Sequence, residues 1–348
     1  MAAPSVVVRL SELVDGQEAV CYAILVRKNR GVTSRGQPFV KCYFRDRQVT
    51  LEAPIWFDHR FFDDAETWME GVAYRLHVRA KHDLRYGLQL DILGLRPADA
   101  ADAAEGFDFF ELVESSRYPV DTLLRSIRQR IDKYIEDPPL RQLVLKILED
   151  QEDLFTKMPA AQNMHHPYTS GLLEHVWSMT RVGALLADHY AEYYSDLNPP
   201  LNKGVVIAAL ILHDIGKIRE LAYHPVEAKY TKEGCLIGHV LLGRDLVREV
   251  ARSIEGFPEE TLLLLEHAIV AHHGKREFGA PVLPQTIEAI LVAYIDDLDA
   301  KMNIAARQRL LATTSDDFTD RVYALDNRRI YKGMAENGPA GSVLLEEL

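Results

Sequence analysis

A chain of 348 residues, 47% hydrophobic and 26% charged, is too long for one ordinary core and too balanced for a disordered or fibrous protein, so two globular domains are expected. The three cysteines, Cys21, Cys42 and Cys235, make neither a disulfide framework nor a thiolate metal site, and the start lacks a secretory signal, so a cytoplasmic protein without a membrane partner is expected. The net charge of -12 excludes a surface that is basic throughout.

From residue 5 to 96 apolar residues alternate rather than recur at helical spacing. Strands are predicted over Val20–Val26, Pro38–Arg45, Val49–Trp56, Tyr74–Ala80 and Gly87–Leu93, with turns at Asn29-Arg30-Gly31, Arg35-Gly36 and Arg85-Tyr86-Gly87. Five such strands make a small closed β-barrel. Barrels of this kind bind single strands by stacking bases on aromatic rings beside cations. The available rings are Phe39, Tyr43, Phe44, Trp56 and Tyr86, and strand alternation sends half of them inward without saying which. Between Ala19 and Leu51, the cations Arg27, Lys28, Arg30, Arg35, Lys41, Arg45 and Arg47 oppose one acid, Asp46. They form either a face that guides a single nucleic-acid strand or a solvated loop; as a face, the expected substrate contacts are Arg27, Lys28, Arg30, Arg45, Phe39, Tyr43 and Trp56.

The stretch from Pro97 to about Phe107 is Ala, Asp, Glu and Gly, a linker by composition. Helical periodicity follows over Val120–Ile135 and Leu140–Leu148, interrupted by Pro138-Pro139, and then over Leu172–Tyr190, Lys203–Leu212, Gly238–Ile254, Glu259–Ala271 and Thr286–Met302. The expected organisation is a barrel over 1–97, a linker over 98–118, an all-α domain over 119–315 and a tail over 316–348. The tail after Asp317 is less readable; the basic and tyrosine content of Arg321-Val322-Tyr323 and Arg328-Arg329-Ile330-Tyr331-Lys332-Gly333 is of the kind expected beside a bound nucleic-acid strand, and its role stays open.

The chemistry concentrates in the helical part. Leu212-His213-Asp214-Ile215-Gly216-Lys217 sets a histidine beside an aspartate in an apolar run, and His175, His239, the pair His272-His273 and Asp296 each lie in an apolar periodic segment. A lone histidine on such a face is ordinarily a hydrogen-bonded core residue. Seven inward-facing histidines and aspartates on five elements would leave many buried polar groups without partners unless a common ion joined them. Imidazole and carboxylate without thiolate suit borderline first-row divalent metals, and the set is large enough for two. Asp214, with two oxygens, is the natural bridge. Lys217, three residues on, is placed to contact a phosphate oxygen, or is a solvated lysine at a helix end.

The order His, His-Asp, His, His-His, Asp resembles that of the HD-domain phosphohydrolases. His165-His166-Pro-Tyr, Leu172-Leu173-Glu174-His175, His213-Asp214-Ile215-Gly216-Lys217, Gly238-His239 with Gly243, His272-His273-Gly274 and Asp296-Asp297-Leu298-Asp299-Ala300-Lys301 look like the YhaM branch. One departure is Tyr168-Thr169-Ser170-Gly171, where that branch tends to have two adjacent glycines. The resemblance implies an N-terminal OB-fold and a metal-dependent 3′-to-5′ exoribonuclease acting on single-stranded RNA, or also single-stranded DNA. It also implies two divalent ions, manganese foremost ahead of iron, cobalt or magnesium. His175, His213, Asp214 and Asp296 would form one half of the site and His239, His272 and His273 the other. His165 and His166 would touch substrate or pack; Asp299, in competition with Asp297, would support a ligand; Glu174 would orient His175 or a water; His224 and His267 are taken as structural. The oligomeric state stays open. A cyclic-dinucleotide phosphodiesterase lacks support, since Gly274-Lys275-Arg276-Glu277-Phe278 holds no Gly-Tyr-Pro. A nucleotide triphosphohydrolase has no use for a single-strand-binding barrel, and a non-catalytic RNA-binding module has no reason to keep seven ligands.

Overall fold

The computed structural model describes residues 7–33, 36–84, 86–108, 112–161, 164–223, 228–312 and 316–333. Arg35, Arg85, His224 and the tail beyond 333 lie outside the described residues. Two compact units emerge, dividing between Ser115 and Ser116.

In the first unit, strands β1 (Glu18–Val32), β2 (Pro38–Arg45), β3 (Thr50–Trp56), β4 (Ala73–Asp83) and β5 (Gly87–Pro97) close a barrel in the order β1-β2-β3-β5-β4. A short helix, α1 (Phe62–Ala65), follows β3. The first half of β1 pairs with β4 and the second half with β2, while β3 and β5 run parallel where Glu52 faces Gln89. This is the OB-fold. One strand can serve two neighbours because it is 15 residues long and bulged between Leu25 and Arg27. Val40, Cys42, Phe44, Ile55, Leu76, Val78, Leu90 and Ile92 fill the interior.

The segment read as a linker folds back on the barrel. Residues Ala100–Glu105 form a 3-10 turn whose Asp102, 2% exposed, accepts hydrogen bonds from Arg96 at 2.8 Å and from the Tyr22 hydroxyl at 3.1 Å. Leu112 and Val113 then pack against Tyr22, Ile24 and Ala73. Composition missed this attachment because its anchor is a buried carboxylate rather than an apolar residue; the Arg96 guanidinium holds that carboxyl well below its usual range.

The second unit is helical: α2 (Val120–Tyr134), α3 (Pro138–Lys157), α4 (Gly171–Tyr193), α5 (Lys203–Leu212), α6 (Lys217–Glu220), α7 (Lys232–Ile237), α8 (His239–Arg252), α9 (Glu259–Ala271) and α10 (Ile287–Leu311). Pro138 and Pro139 do not merely break a helix; they open α3, at positions whose N–H groups lack intrahelical partners anyway. Every residue of α5 from Gly204 to Leu212 is buried, and α4, α9 and α10 pack around it. Gly183 of α4 lets the two chains approach, since a Cβ there would stand 2.1 Å from Leu210 Cδ1. Strands β6 (Leu221–Ala222) and β7 (Lys229–Tyr230) form a small ribbon. At the C-terminal side, β8 (Phe318–Val322) and β9 (Arg328–Tyr331) form a hairpin whose Val322 and Leu325 pack on Ile304 of α10. Among the described residues no helix is long and apolar enough to cross a membrane.

Candidate metal centre

The helical unit brings the seven expected ligands together at helix ends and on two inner helix faces. His175 projects from α4 and Asp296 from α10; His213 and Asp214 follow the last turn of α5, His239 opens α8, and His272-His273 follow α9. Asp214 turns Oδ2 toward His213 Nε2 at 3.3 Å and His175 Nε2 at 4.0 Å, and Oδ1 toward His239 Nε2 at 3.3 Å and His272 Nε2 at 3.7 Å. Asp296 Oδ1 lies 3.2 Å from His175 Nε2 and 3.9 Å from His213 Nε2. Groups of ligand atoms mutually within 4.8 Å include His175-His213-Asp296, His213-Asp214-His272 and His239-His272-His273.

The hydrogen bonds decide which nitrogen each ring offers. His213 Nδ1 donates to the Leu210 carbonyl at 3.1 Å and His272 Nδ1 to that of Ile269 at 2.6 Å, occupying carbonyls that a helix end leaves unpaired. His175 Nδ1 donates to Asp299 Oδ2 at 2.7 Å and His239 Nδ1 to Glu220 Oε1 at 2.9 Å. All four rings therefore point Nε2 inward. Among the described residues nine buried side-chain N or O atoms lack a hydrogen-bond partner, and six of them are here: Nε2 of His175, His213, His239 and His272, Nδ1 of His273, and Asp214 Oδ1. At about 1–3 kcal/mol each, six such atoms would cost on the order of 10 kcal/mol, as much as a whole domain's stability. A divalent metal ion satisfies them, so the donor set fits one.

Charge points the same way. Burial pushes the Asp214 carboxyl up, but the Lys217 ammonium and the His213 and His239 rings hold it well below its usual range. Burial likewise opposes charge on His175, yet Asp296 and Asp299 push its imidazolium up to about 10. Buried carboxylates here demand a cation.

Other expected residues are placed differently. Lys217 is buried, its Nζ 2.6 Å from Asp214 Oδ2 and bonded to the Ala160 carbonyl, so it is no solvated lysine. His165 groups with His175 and Asp214, and burial pushes it down to about 3. His166 has both ring nitrogens engaged, Nε2 with Asp299 at 3.1 Å and Nδ1 with the Tyr168 hydroxyl at 2.8 Å, which replaces the substrate contact expected of it. Of the two aspartates, Asp299 is the one hydrogen-bonded to His175, and Asp297 pairs with Lys301 at 2.6 Å instead. Glu174 faces Arg117 at 3.8 Å. His267 Nε2 accepts from the Gln285 N–H, a structural role. Glu220 was not singled out from sequence: it lies 19 residues from His239, and only the turn of α6 brings them together.

On the barrel, one row of outward side chains runs Gly31-Phe39-Trp56 and another Arg27-Tyr43-Glu52, with Asn29 and Lys41 between them. The Phe39 and Trp56 rings are 5.2 Å apart, Arg27 lies over Tyr43 at 4.2 Å and Lys41 over Tyr86 at 5.0 Å. Phe44 alone of the five rings is interior. Lys28 and Arg30 alternate away from this face and are corrected accordingly. Lys28 Nζ donates to the carbonyls of Ala65, Glu66 and Trp68, and Arg30 pairs with Glu66.

A barrel of OB topology followed by helices that converge histidines and aspartates around one buried pocket of donors defines an HD-domain protein with an N-terminal OB-fold. The HD-domain family model matches residues 172–301. A Geobacillus sp. (strain WCH70) protein named 3′-5′ exoribonuclease YhaM is 34% identical over 337 residues, 95% of each chain, and its namesake from Bacillus subtilis (strain 168) is 33% identical over 91% of this chain and 95% of that protein. The chain belongs to the YhaM family. A replication protein A domain from Methanococcus maripaludis is similar at 15% identity and a TM-score of 0.22, covering 27% of this chain and 96% of that one.

Proposed function

We propose that the protein is a metal-dependent 3′-to-5′ exoribonuclease that hydrolyses single-stranded RNA to mononucleotides. The observation that carries the chemistry is the gathering of six unpartnered ligand atoms, five from histidines and one from Asp214, in one buried cluster; the substrate and direction come from the YhaM relatives, whose printed name is 3′-5′ exoribonuclease. His175, His213, Asp214 and Asp296 would hold one divalent ion and His239, His272 and His273, with Asp214 between the two groups, a second; manganese is the ion that the resemblance to the YhaM family implies. Bound there, the ions supply Lewis acidity and a nucleophilic water near neutral pH. Lys217 fixes the orientation of Asp214 and, having three N–H donors of which Asp214 and Ala160 take two, keeps one for a phosphate oxygen. His165, neutral in this setting, offers a nitrogen beside His175 and Asp214. On the barrel, Phe39 with Trp56 and Tyr43 with Arg27 make two stacking positions on the strand's path. They lie four residues apart along β2, about 13 Å, a span of a few nucleotides. Arg45 lies on the same outward side of β2.

The test uses purified protein and 5′-labelled single-stranded RNA with and without manganese. The expected result is a ladder shortening from the 3′ end in manganese alone, slowed by a 3′ phosphate. Internal cuts, or hydrolysis that persists unchanged in chelator, would overturn the reading. Parallel single-stranded DNA reports how far the ribose matters.

A further inference from the structure

We propose that Asp299 is a positioning residue acting at two points at once: it fixes the tautomer of His175, and it clamps the left-handed turn that presents His165 to the metal centre. The proposal rests on the reading that these histidines hold divalent ions, but not on the RNA chemistry.

His175 can offer Nε2 to an ion only while Nδ1 keeps its proton, and Asp299 Oδ2 accepts that proton's hydrogen bond at 2.7 Å. The same oxygen lies 3.1 Å from His166 Nε2, and the Ser178 hydroxyl donates to Oδ1. His166 Nδ1 must then be the acceptor for Tyr168, 2.8 Å away, and for Asn303 Nδ2 at 3.3 Å, which assigns the whole chain of tautomers. His166 is held in a backbone conformation that non-glycine residues seldom adopt, φ 42°. Its N–H donates to Asn303 Oδ1 at 2.9 Å and its carbonyl accepts from Ala160 at 3.1 Å. Gly171 presses against that carbonyl so closely that a Cβ would stand 2.0 Å from the oxygen. A turn held this firmly beside a catalytic centre serves to place something. What it places is His165, whose ring is 5.3 Å from His175.

The other ligands show what is particular here. His213 and His272 give their Nδ1 protons to neutral carbonyls, and His239 gives its own to the Glu220 carboxylate, which among the described residues otherwise accepts only the His239 backbone N–H. Asp299 serves a ligand and a neighbouring segment together. Ion binding at His175 and order in 164–170 are therefore linked, and linkage is reciprocal.

The experiment compares full-length wild type, Asp299→Asn and Glu220→Gln, by calorimetric titration with manganese and by hydrogen exchange of residues 164–170 with and without it. Asp299→Asn should weaken one class of manganese sites 10–100-fold and abolish the manganese-dependent slowing of exchange at 164–170. Glu220→Gln should weaken the other class and leave that slowing in place. A merely structural Asp299 would lower the melting temperature without separating the two classes, and an Asp299→Asn titration that superimposes on wild type overturns the proposal. Should Asp299→Asn fail to fold, Asp299→Glu keeps the charge while displacing it by one methylene, and unchanged exchange protection in that variant overturns the proposal equally. Neither readout uses RNA, so loss of the nuclease reading leaves it standing; wild type that binds no manganese defeats it together with the metal assignment.

Discussion

Lys217 and Asp214 sit three residues apart at the corner between α5 and α6, 2.6 Å from each other and both buried. Removing one partner of such a pair strands the other's charge, a loss of about 3–5 kcal/mol. Bound divalent ions would supply the missing compensation. Lys217→Met is therefore expected to lower the melting temperature strongly in chelator and much less in manganese; equal shifts in both would mean that Asp214 is not a ligand. Asp214→Asn is expected to reduce hydrolysis to background and disrupt both metal sites while the apolar helix before it still packs, which circular dichroism and metal content report together. His175 gives a third expectation. Burial disfavours its charge, but Asp296 and Asp299 raise its pKa to about 10 in the metal-free protein. A group raised in this way stabilises the fold fully below about 6.5 and loses that contribution as pH climbs toward 10, so the metal-free protein should soften across that window. At pH 8 an ion must displace this proton, and manganese binding should release about one proton, read from calorimetry in buffers of different ionisation enthalpy. A buffer-independent enthalpy would contradict it.

Two glycines hold the elements of the site together. A Cβ on Gly216 would stand 2.0 Å from the His239 carbonyl oxygen and 2.5 Å from the Gly243 nitrogen, backbone atoms that cannot swing aside. Gly216→Ala must push α8, and His239 with it, away from Asp214. Overpacking of this kind costs about 1–3 kcal/mol, whereas a ligand shifted by even an ångström breaks a coordination geometry. Manganese affinity should therefore fall far more than thermal stability, and a variant with normal affinity would show that the corner yields. The Gly in His-Asp-Ile-Gly-Lys was visible in the sequence, but its reason was not, because the close approach joins segments over 20 residues apart. The same limit explains Glu220. Local patterns were easier: alternation located all five barrel strands, and helical spacing located the helices that carry the ligands. Alternation also held the answer for Lys28 and Arg30, since residues of one strand on either side of Asn29 cannot share its face. What hid it was the bulge between Leu25 and Arg27, where the buried run from Ala19 to Leu25 gives way to true alternation.

At the scale of the molecule, net charge -12 and nucleic-acid binding conflict only if phosphate contacts carry the affinity. The barrel face suggests that they do not. Lys41 is paired with Glu52 at 2.9 Å, Lys28 and Arg30 are spent on the barrel's own structure, and Arg27 lies over the Tyr43 ring, so few cations stand beside the rings. Two or three phosphate contacts on a single strand give a log–log salt slope of only about -1.4 to -2.1. On the proposed reading, stacking on Phe39, Trp56 and Tyr43 at about 1–3 kcal/mol per base would outweigh that. Two comparisons follow from this division of labour. A truncated protein beginning at Ser116 should still hydrolyse a short generic phosphodiester in manganese but lose affinity for long RNA, because the rings lie in the other compact unit. Within the full-length chain, Phe39→Ala with Trp56→Ala should weaken RNA binding by more than Arg27→Ala, and the salt slope should stay shallow in both. Trp56, 45% exposed, is the more exposed ring of this pair and should account for the larger part. Filter-binding titrations across a salt series read the affinities and slopes, and product release from the short diester reads the hydrolysis. If truncation leaves RNA affinity unchanged, the barrel serves another purpose, and if the arginine change proves the larger with a steep slope, attraction to phosphate rather than stacking is what grips the strand.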